Sequence, residues 1–252
     1  MKRIRTLAIL LQMMTAGFAN GNPEKLFSQA NDLYKNGNFE QSLAVYNQLL
    51  SSGYESAALY YNAGNAEFRN GNLGRAILYY ERSLRLSPSD NDIRNNLEFA
   101  RSKTTDNINE IPTFFLHDWA MWVINLLSAN GWAIACIILM FLACAVWALF
   151  FIAKTYGTKK TAFFSALAIT LVFIVAIINL CVSNSMADSH DQAIVLSPAV
   201  SVKTSPEIDS ADKFLLHEGT KVEIDDVINE WSKIRLADGN TGWIENSYIE
   251  TI

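Results

Sequence analysis

The sequence predicts a multidomain membrane protein: an α-helical repeat solenoid, a two-helix transmembrane hairpin, and a small all-β barrel, in that order. Three observations carry the prediction. Gly37 and Gly71, each flanked by asparagines, stand 34 residues apart within 23–103, a period that belongs to stacked helix pairs. Residues 132–153 and 162–182 contain no charged side chain, and each run is long enough to cross about 30 Å of hydrocarbon as a helix. From residue 192 onward, short apolar and polar residues alternate between turn signals, a period of two that marks strands.

Composition agrees with membrane residence. Of 252 residues, 50% are hydrophobic and 18% charged, with a net charge of −5, too greasy for one soluble domain. The charge is unevenly spread: residues 20–130 hold 9 basic and 12 acidic side chains, and residues 183–252 hold 5 and 13. A nucleic-acid partner needs a basic stripe to displace counterions, and these acidic segments offer none. Cys136, Cys144 and Cys181 all lie in the apolar runs, where free cysteine serves as a small apolar filler. A redox couple of Cys136 and Cys181 is the lesser alternative.

The N-terminus joins Lys2, Arg3 and Arg5 to the apolar run Leu7–Met14 and the small residues Gly17 and Ala19. That pattern predicts a secretory signal peptide over 1–19; its apolar core is too short to span a bilayer. The hairpin helices, 132–153 and 162–182, are joined by a loop at 154–161 whose only charges are Lys154, Lys159 and Lys160. The positive-inside rule places this loop in the cytoplasm, so both soluble regions are expected in the periplasm, anchored to the inner membrane. Between them, the linker 104–130 holds an aromatic-rich segment, 114–127, interrupted by His117 and Asp118. It reads as an interfacial helix on the outer leaflet.

Within the repeat region, Tyr60, Gly64, Gly71, Ala76, Tyr80 and Pro88 in the second copy, and Leu26, Ala30, Gly37, Phe39 and Tyr46 in the first, fall at the positions of a tetratricopeptide repeat. Residues 91–103 continue as a capping helix. Two repeats and a cap are a very short solenoid, so dimerisation or docking on the membrane segment is expected to complete it. In such repeats the first helix of each pair lines the concave groove, which makes Asn31, Tyr34, Tyr61, Asn62, Asn65 and Phe68 the candidate partner contacts. Asn31 and Asn62 match the asparagines with which some members clamp a peptide carboxylate. Phe27, Asp92 and Asn96 replace the basic residues of that clamp, and the asparagines equally fit a purely structural role in the repeat.

The phrases 216–223, 231–236 and 238–244 resemble a bacterial SH3 domain over 192–252. Ile234 and Leu236 share one strand face while Lys233 and Arg235 share the other, and Asp238-Gly239-Asn240 supplies a turn. Domains of this family bind peptides or cell-wall components through aromatic residues, so Trp231, Trp243 and Tyr248 are the barrel's candidate contacts. A barrel this small also needs bulky residues inside, so at least one tryptophan is expected in its core.

No catalytic constellation is legible. The cysteines are in the apolar runs, and His117, His190 and His217 lie in three separate regions, so nucleophile and base cannot be paired. There is no glycine-rich phosphate loop and no metal-ligand spacing, and no cofactor is expected. The order of segments as a whole resembles the BatE-like family of the Bacteroides aerotolerance (Bat) operon. The resemblance implies a role in aerotolerance and oxidative-stress resistance, alongside other Bat-operon membrane proteins of von Willebrand A type and a MoxR-type ATPase. The residues themselves support a non-enzymatic membrane scaffold, or adapter, with two recognition modules. A sensor of peptidoglycan or envelope stress is the alternative.

Overall fold

A computed structural model describes residues 22–108, 114–188 and 191–252; the expected signal peptide lies outside them, as does His190. The described residues open on five helices, α1 (Pro23–Lys35), α2 (Phe39–Ser51), α3 (Ala57–Arg69), α4 (Leu73–Leu86) and α5 (Asn91–Arg101). Local sequence sets their ends. The Asn22 side chain accepts from the Glu24 N–H and Pro23 opens α1, where its missing donor costs nothing. At the other end Gly37 sits at φ +80°, and the Asn38 N–H reaches back to the Leu33 carbonyl at 3.0 Å, closing the helix with a left-handed residue. Ala30, Ala63, Ala66 and Ala76 are fully buried where helices cross. Gly64 has no room for a side chain, since an added Cβ would lie 2.8 Å from the Tyr80 ring. Ser42 is buried and donates to the Ala30 carbonyl at 2.8 Å, so its hydroxyl is satisfied.

A separate helix follows, α6 (Phe115–Ile124), then the hairpin α7 (Ala129–Ile152) and α8 (Tyr156–Asp188). Both hairpin helices are long and apolar enough to cross a membrane. Cys136 and Ala143 on α7, and Ala166 and Ala176 on α8, are buried, small residues that let two backbones approach. Trp147 donates to Thr170 Oγ1 at 3.2 Å across the helix pair. Ile138, Phe141, Leu171 and Ile178 are each more than half exposed, an apolar surface far larger than water-facing proteins carry. All three cysteines are free, with Cys144 and Cys181 exposed.

The segment 154–161, read from sequence as a loop, is helical from Tyr156 onward. Thr155 Oγ1 accepts from the Thr158 N–H at 3.4 Å, starting α8 early, and lysines are good helix formers. Helix α6 exposes Phe115, Leu116, Trp119 and Trp122, and the Trp132 indole ties it to α7 by donating to the Ile124 carbonyl at 2.9 Å.

The C-terminal region is one seven-stranded sheet of order β3-β2-β6-β5-β4-β1-β7. Its strands are β1 (Gln192–Val195), β2 (Ala199–Lys203), β3 (Asp212–His217), β4 (Lys221–Ile228), β5 (Trp231–Arg235), β6 (Thr241–Glu245) and β7 (Ile249–Thr251). Every pair is antiparallel. Strands β3 and β7 escape the sequence pattern: β3 runs Phe214-Leu215-Leu216 without alternation, and β7 is only 3 residues long. Ala193, Val195, Val202, Val222, Ile234 and Ile244 fill the core. Neither tryptophan of the barrel is among them, which corrects the expectation that one would be. Aliphatic side chains fill this core, with Phe214 packed against it, and the register gives the tryptophans to the other face.

The barrel is docked on the repeats. Strand β1 is buried on both faces: Ala193 and Val195 face the barrel core, while Ile194 joins Ala76, Ile77, Tyr80, Leu97 and Ala100 of α4 and α5, together with Ile252. Two glycines permit this approach. An added Cβ on Gly74 would meet the Val195 carbonyl at 3.0 Å, and on Gly219 (φ +86°) the Ile77 Cδ1 at 2.7 Å. Polar contacts surround the apolar centre: Arg82 pairs with Glu250 at 2.9 Å, and Lys221 with Glu81 at 3.0 Å. The barrel thus covers the face of α4 that the repeats leave bare, a third way to complete the short solenoid that the sequence did not reveal.

Candidate functional site

The groove residues stand on first helices of the repeats, Asn31 and Tyr34 on α1, and Tyr61, Asn62, Asn65 and Phe68 on α3, all half-buried. They form a ladder. Asn31 Oδ1 accepts from the Tyr46 hydroxyl at 2.6 Å and from Asn62 Nδ2 at 2.9 Å. One period later, Asn65 Oδ1 accepts from the Tyr80 hydroxyl at 2.7 Å and from Asn96 Nδ2 at 2.9 Å. Asn96 also reaches the Tyr61 hydroxyl at 2.9 Å. Burial raises the pKa of Tyr46 and, with the nearby phenols of Tyr61 and Tyr34, that of Tyr80, so both remain protonated donors. Among the described residues, every hydrogen bond to Asn31 and Asn65 engages the side-chain oxygen. Among the described residues the N–H pair of each amide thus has no protein partner. Tyr34 packs on Phe39, and Phe68 on the exposed Phe99, with ring centroids 5.2 and 5.7 Å apart. Asn96 was not a sequence candidate; the 34-residue step from Asn62 is the signal that finds it, and it shows α5 occupying the place of a third repeat's first helix.

On the barrel, Ser232 and Ile234 of β5 and Gly242 and Ile244 of β6 point inward. Alternation then puts Trp231 and Trp243 on the outer face. Trp231 is paired with Glu245 and Lys233 with Trp243, so the two indoles are diagonal neighbours. Trp231, Tyr248, Lys203 and Glu245 line a cleft of about 210 Å³, and Tyr248 is 37% exposed. Trp243 lies beside that cleft without lining it. The arrangement offers flat apolar faces with a cation and a carboxylate beside them, suited to stacking and hydrogen bonding rather than bond making. Among the described residues no group of three His, Cys, Asp or Glu side chains is placed to hold a metal ion.

Comparison with known families matches residues 27–91 to the tetratricopeptide repeat and residues 198–250 to the bacterial SH3 domain. The chain carries both modules. No curated protein matches it. Both are interaction modules, and the SH3 match stops short of the apolar residues with which the barrel meets the repeats. Strand β1 precedes the matched part of the SH3 domain and Ile252 follows it, yet Ile194 and Ile252 are the residues the domain buries in the repeats. The apolar residues on the barrel's side of the joint thus lie outside the matched SH3 range, whereas Ala76, Ile77 and Tyr80 on the other side lie within the matched repeats.

Sequence reasoning missed this joint and the segment that clasps it. After α5 the chain runs along the SH3 domain, where Asp106 accepts from the Thr220 hydroxyl and the His217 N–H, both at 2.7 Å, and contacts His217 Nδ1 at 2.7 Å. Burial of Asp106 opposes its ionisation, but these hydrogen bonds outweigh it and hold its pKa below the usual carboxylate value of 3.8. A depressed pKa contributes stability that is present above the unfolded value and lost as pH falls through the folded one. Asp106→Asn is expected to cost about 1–2 kcal/mol. In thermal melts the gap between native and variant chains should persist above pH 3.8 and close below it; a gap that stays constant into stronger acid would refute the role of the charge.

Proposed function

We propose that the chain is a non-enzymatic adapter of the inner membrane, with α7 and α8 spanning it, the repeats and SH3 domain together in the periplasm, and protein partners bound by the groove and the aromatic face. The shared core of the repeats and SH3 domain carries this reading. One module precedes the hairpin and the other follows it, so a core built from both fits a chain that crosses twice and returns. The lysines at the bend favour the cytosol for that end. The face α6 leaves bare, with Trp119 and Trp122 exposed, suits the bilayer interface. Because the modules are joined rigidly, two ligands would be held at a fixed spacing, and the second binding event becomes effectively intramolecular.

The resemblance to the BatE-like family supplies the partner hypothesis: Bat-operon membrane proteins of von Willebrand A type, in a complex with a MoxR-type ATPase, serving aerotolerance. Photo-crosslinkers at Phe68 and Trp243 on native membranes test it, with such proteins expected at one or both positions. Topology is tested by protease added to spheroplasts, which should degrade both modules while the Lys159 bend stays protected. Protection of one module alone would overturn the arrangement. A second reading, a peptidoglycan sensor, draws support from the two tryptophans on the outer face, since flat aromatic faces stack on sugar rings. Retention of the full-length detergent-solubilised chain on purified sacculi would favour it.

A further inference from the structure

We propose that the bend of the hairpin holds one anionic phospholipid, its acyl chains in a trough between α7 and α8 and its headgroup among Lys154, Lys159 and Lys160. The proposal rests on the reading of these helices as membrane spans. A trough of about 520 Å³ runs between Val146, Leu149 and Ile152 of α7 and Thr161, Ala162 and Ser165 of α8. Beside it the rings of Trp147, Phe150 and Phe163 meet across the helix pair, with centroids 5.8–6.1 Å apart, and wedge the two helices at this end. The trough walls are mostly apolar, with Thr158, Thr161 and Ser165 supplying the few hydroxyls, so its occupant is apolar where it lies in the span.

Charge identifies the other end of that occupant. Lys154, Lys159 and Lys160 are exposed, and among the described residues none has a carboxylate within 4.0 Å. The sequence has no Asp or Glu from 119 to 187, so the hairpin cannot neutralise its own lysines. Lys154 follows Ala153, and Lys159 and Lys160 lie between Thr158 and Thr161, all three neighbours lining the trough. A molecule that joins an anion to long apolar chains matches both ends at once, and in a bilayer that molecule is an anionic phospholipid. A zwitterionic lipid fits the trough without satisfying the lysines.

The test uses the full-length chain in nanodiscs of phosphatidylcholine with or without phosphatidylglycerol, followed by native mass spectrometry after mild delipidation. One phosphatidylglycerol is expected to stay bound, preferred over phosphatidylcholine by roughly fivefold for each lysine that touches the headgroup. The triple variant K154Q/K159Q/K160Q should lose the preference while still retaining a lipid, and Ala162→Phe, which plugs the trough, should lose the retained lipid of either kind. Equal retention of the two lipids by the native chain, or a polypeptide retained in the trough in their place, would overturn the proposal. Carbonate extraction separates the underlying reading: a chain stripped from membranes overturns the span and the lipid site with it, whereas a resistant chain without lipid preference overturns the lipid site alone.

Discussion

Ile194→Asp is expected to unfold the joint between the two modules and, with it, much of both. Ile194 is fully buried, and it sits not in the SH3 core but among Ala76, Ile77 and Leu97 of the repeats. Truncating a buried aliphatic side chain costs about 2–5 kcal/mol, and placing a carboxylate there adds a desolvation penalty, since the cross-strand neighbour Lys221 is already paired with Glu81. The whole stability of such a domain is about 5–15 kcal/mol, so one substitution removes a large share. Melting of the full-length chain in detergent should shift to lower temperature, and limited proteolysis should cut the repeats as well as the barrel. Leu215→Asp is the control, because Leu215 is already 52% exposed; it should melt like the native chain. Repeats that stay protease-resistant in Ile194→Asp would show that they fold without the barrel, contrary to the shared core.

The paired change Trp231→Ala and Trp243→Ala should have the opposite profile, with binding lost and folding kept. Both indoles stand on the face away from Val202, Ile234 and Ile244, so their removal leaves the aliphatic core intact. Both are half-buried on that outer face, so their loss should cost less stability than the roughly 3–5 kcal/mol of a core tryptophan. Aromatic anchors at an interface are commonly worth about 2–4 kcal/mol each, so affinity for the SH3 ligand, captured by crosslinking or on sacculi, should fall by about 30-fold or more. If the pair instead lowers the melting temperature strongly, the tryptophans are structural and the ligand face lies elsewhere.

Much of this architecture was legible because local rules and tertiary structure agree. The glycine period located the helix pairs, since Gly37 and Gly71 are required at φ > 0 whatever packs around them, and the uncharged runs marked the hairpin directly. The SH3 strands with clean alternation, such as β5, were found; β3 and β7 were not, because one lacks alternation and the other is too short to show any. The candidate groove residues were located on the correct helices, but their bonding was not legible. Asn31 and Asn62 bond each other, which no spacing reveals. The joint was the least visible feature. Ile194 reads as one more apolar residue in a strand, and nothing in its neighbours says that its side chain leaves the barrel. Asp106, Glu81 and Lys221 look like ordinary surface charges until the fold brings them together.

The joint also has a consequence for biosynthesis. The face of α4 around Ile77 is translated and, on the proposed topology, exported well before residues 192–252 emerge. During that interval the nascent repeats carry a naked oily flank. Export of the closing segment is then the step that quenches this flank, and pausing translation ahead of it should leave an intermediate that recruits chaperones.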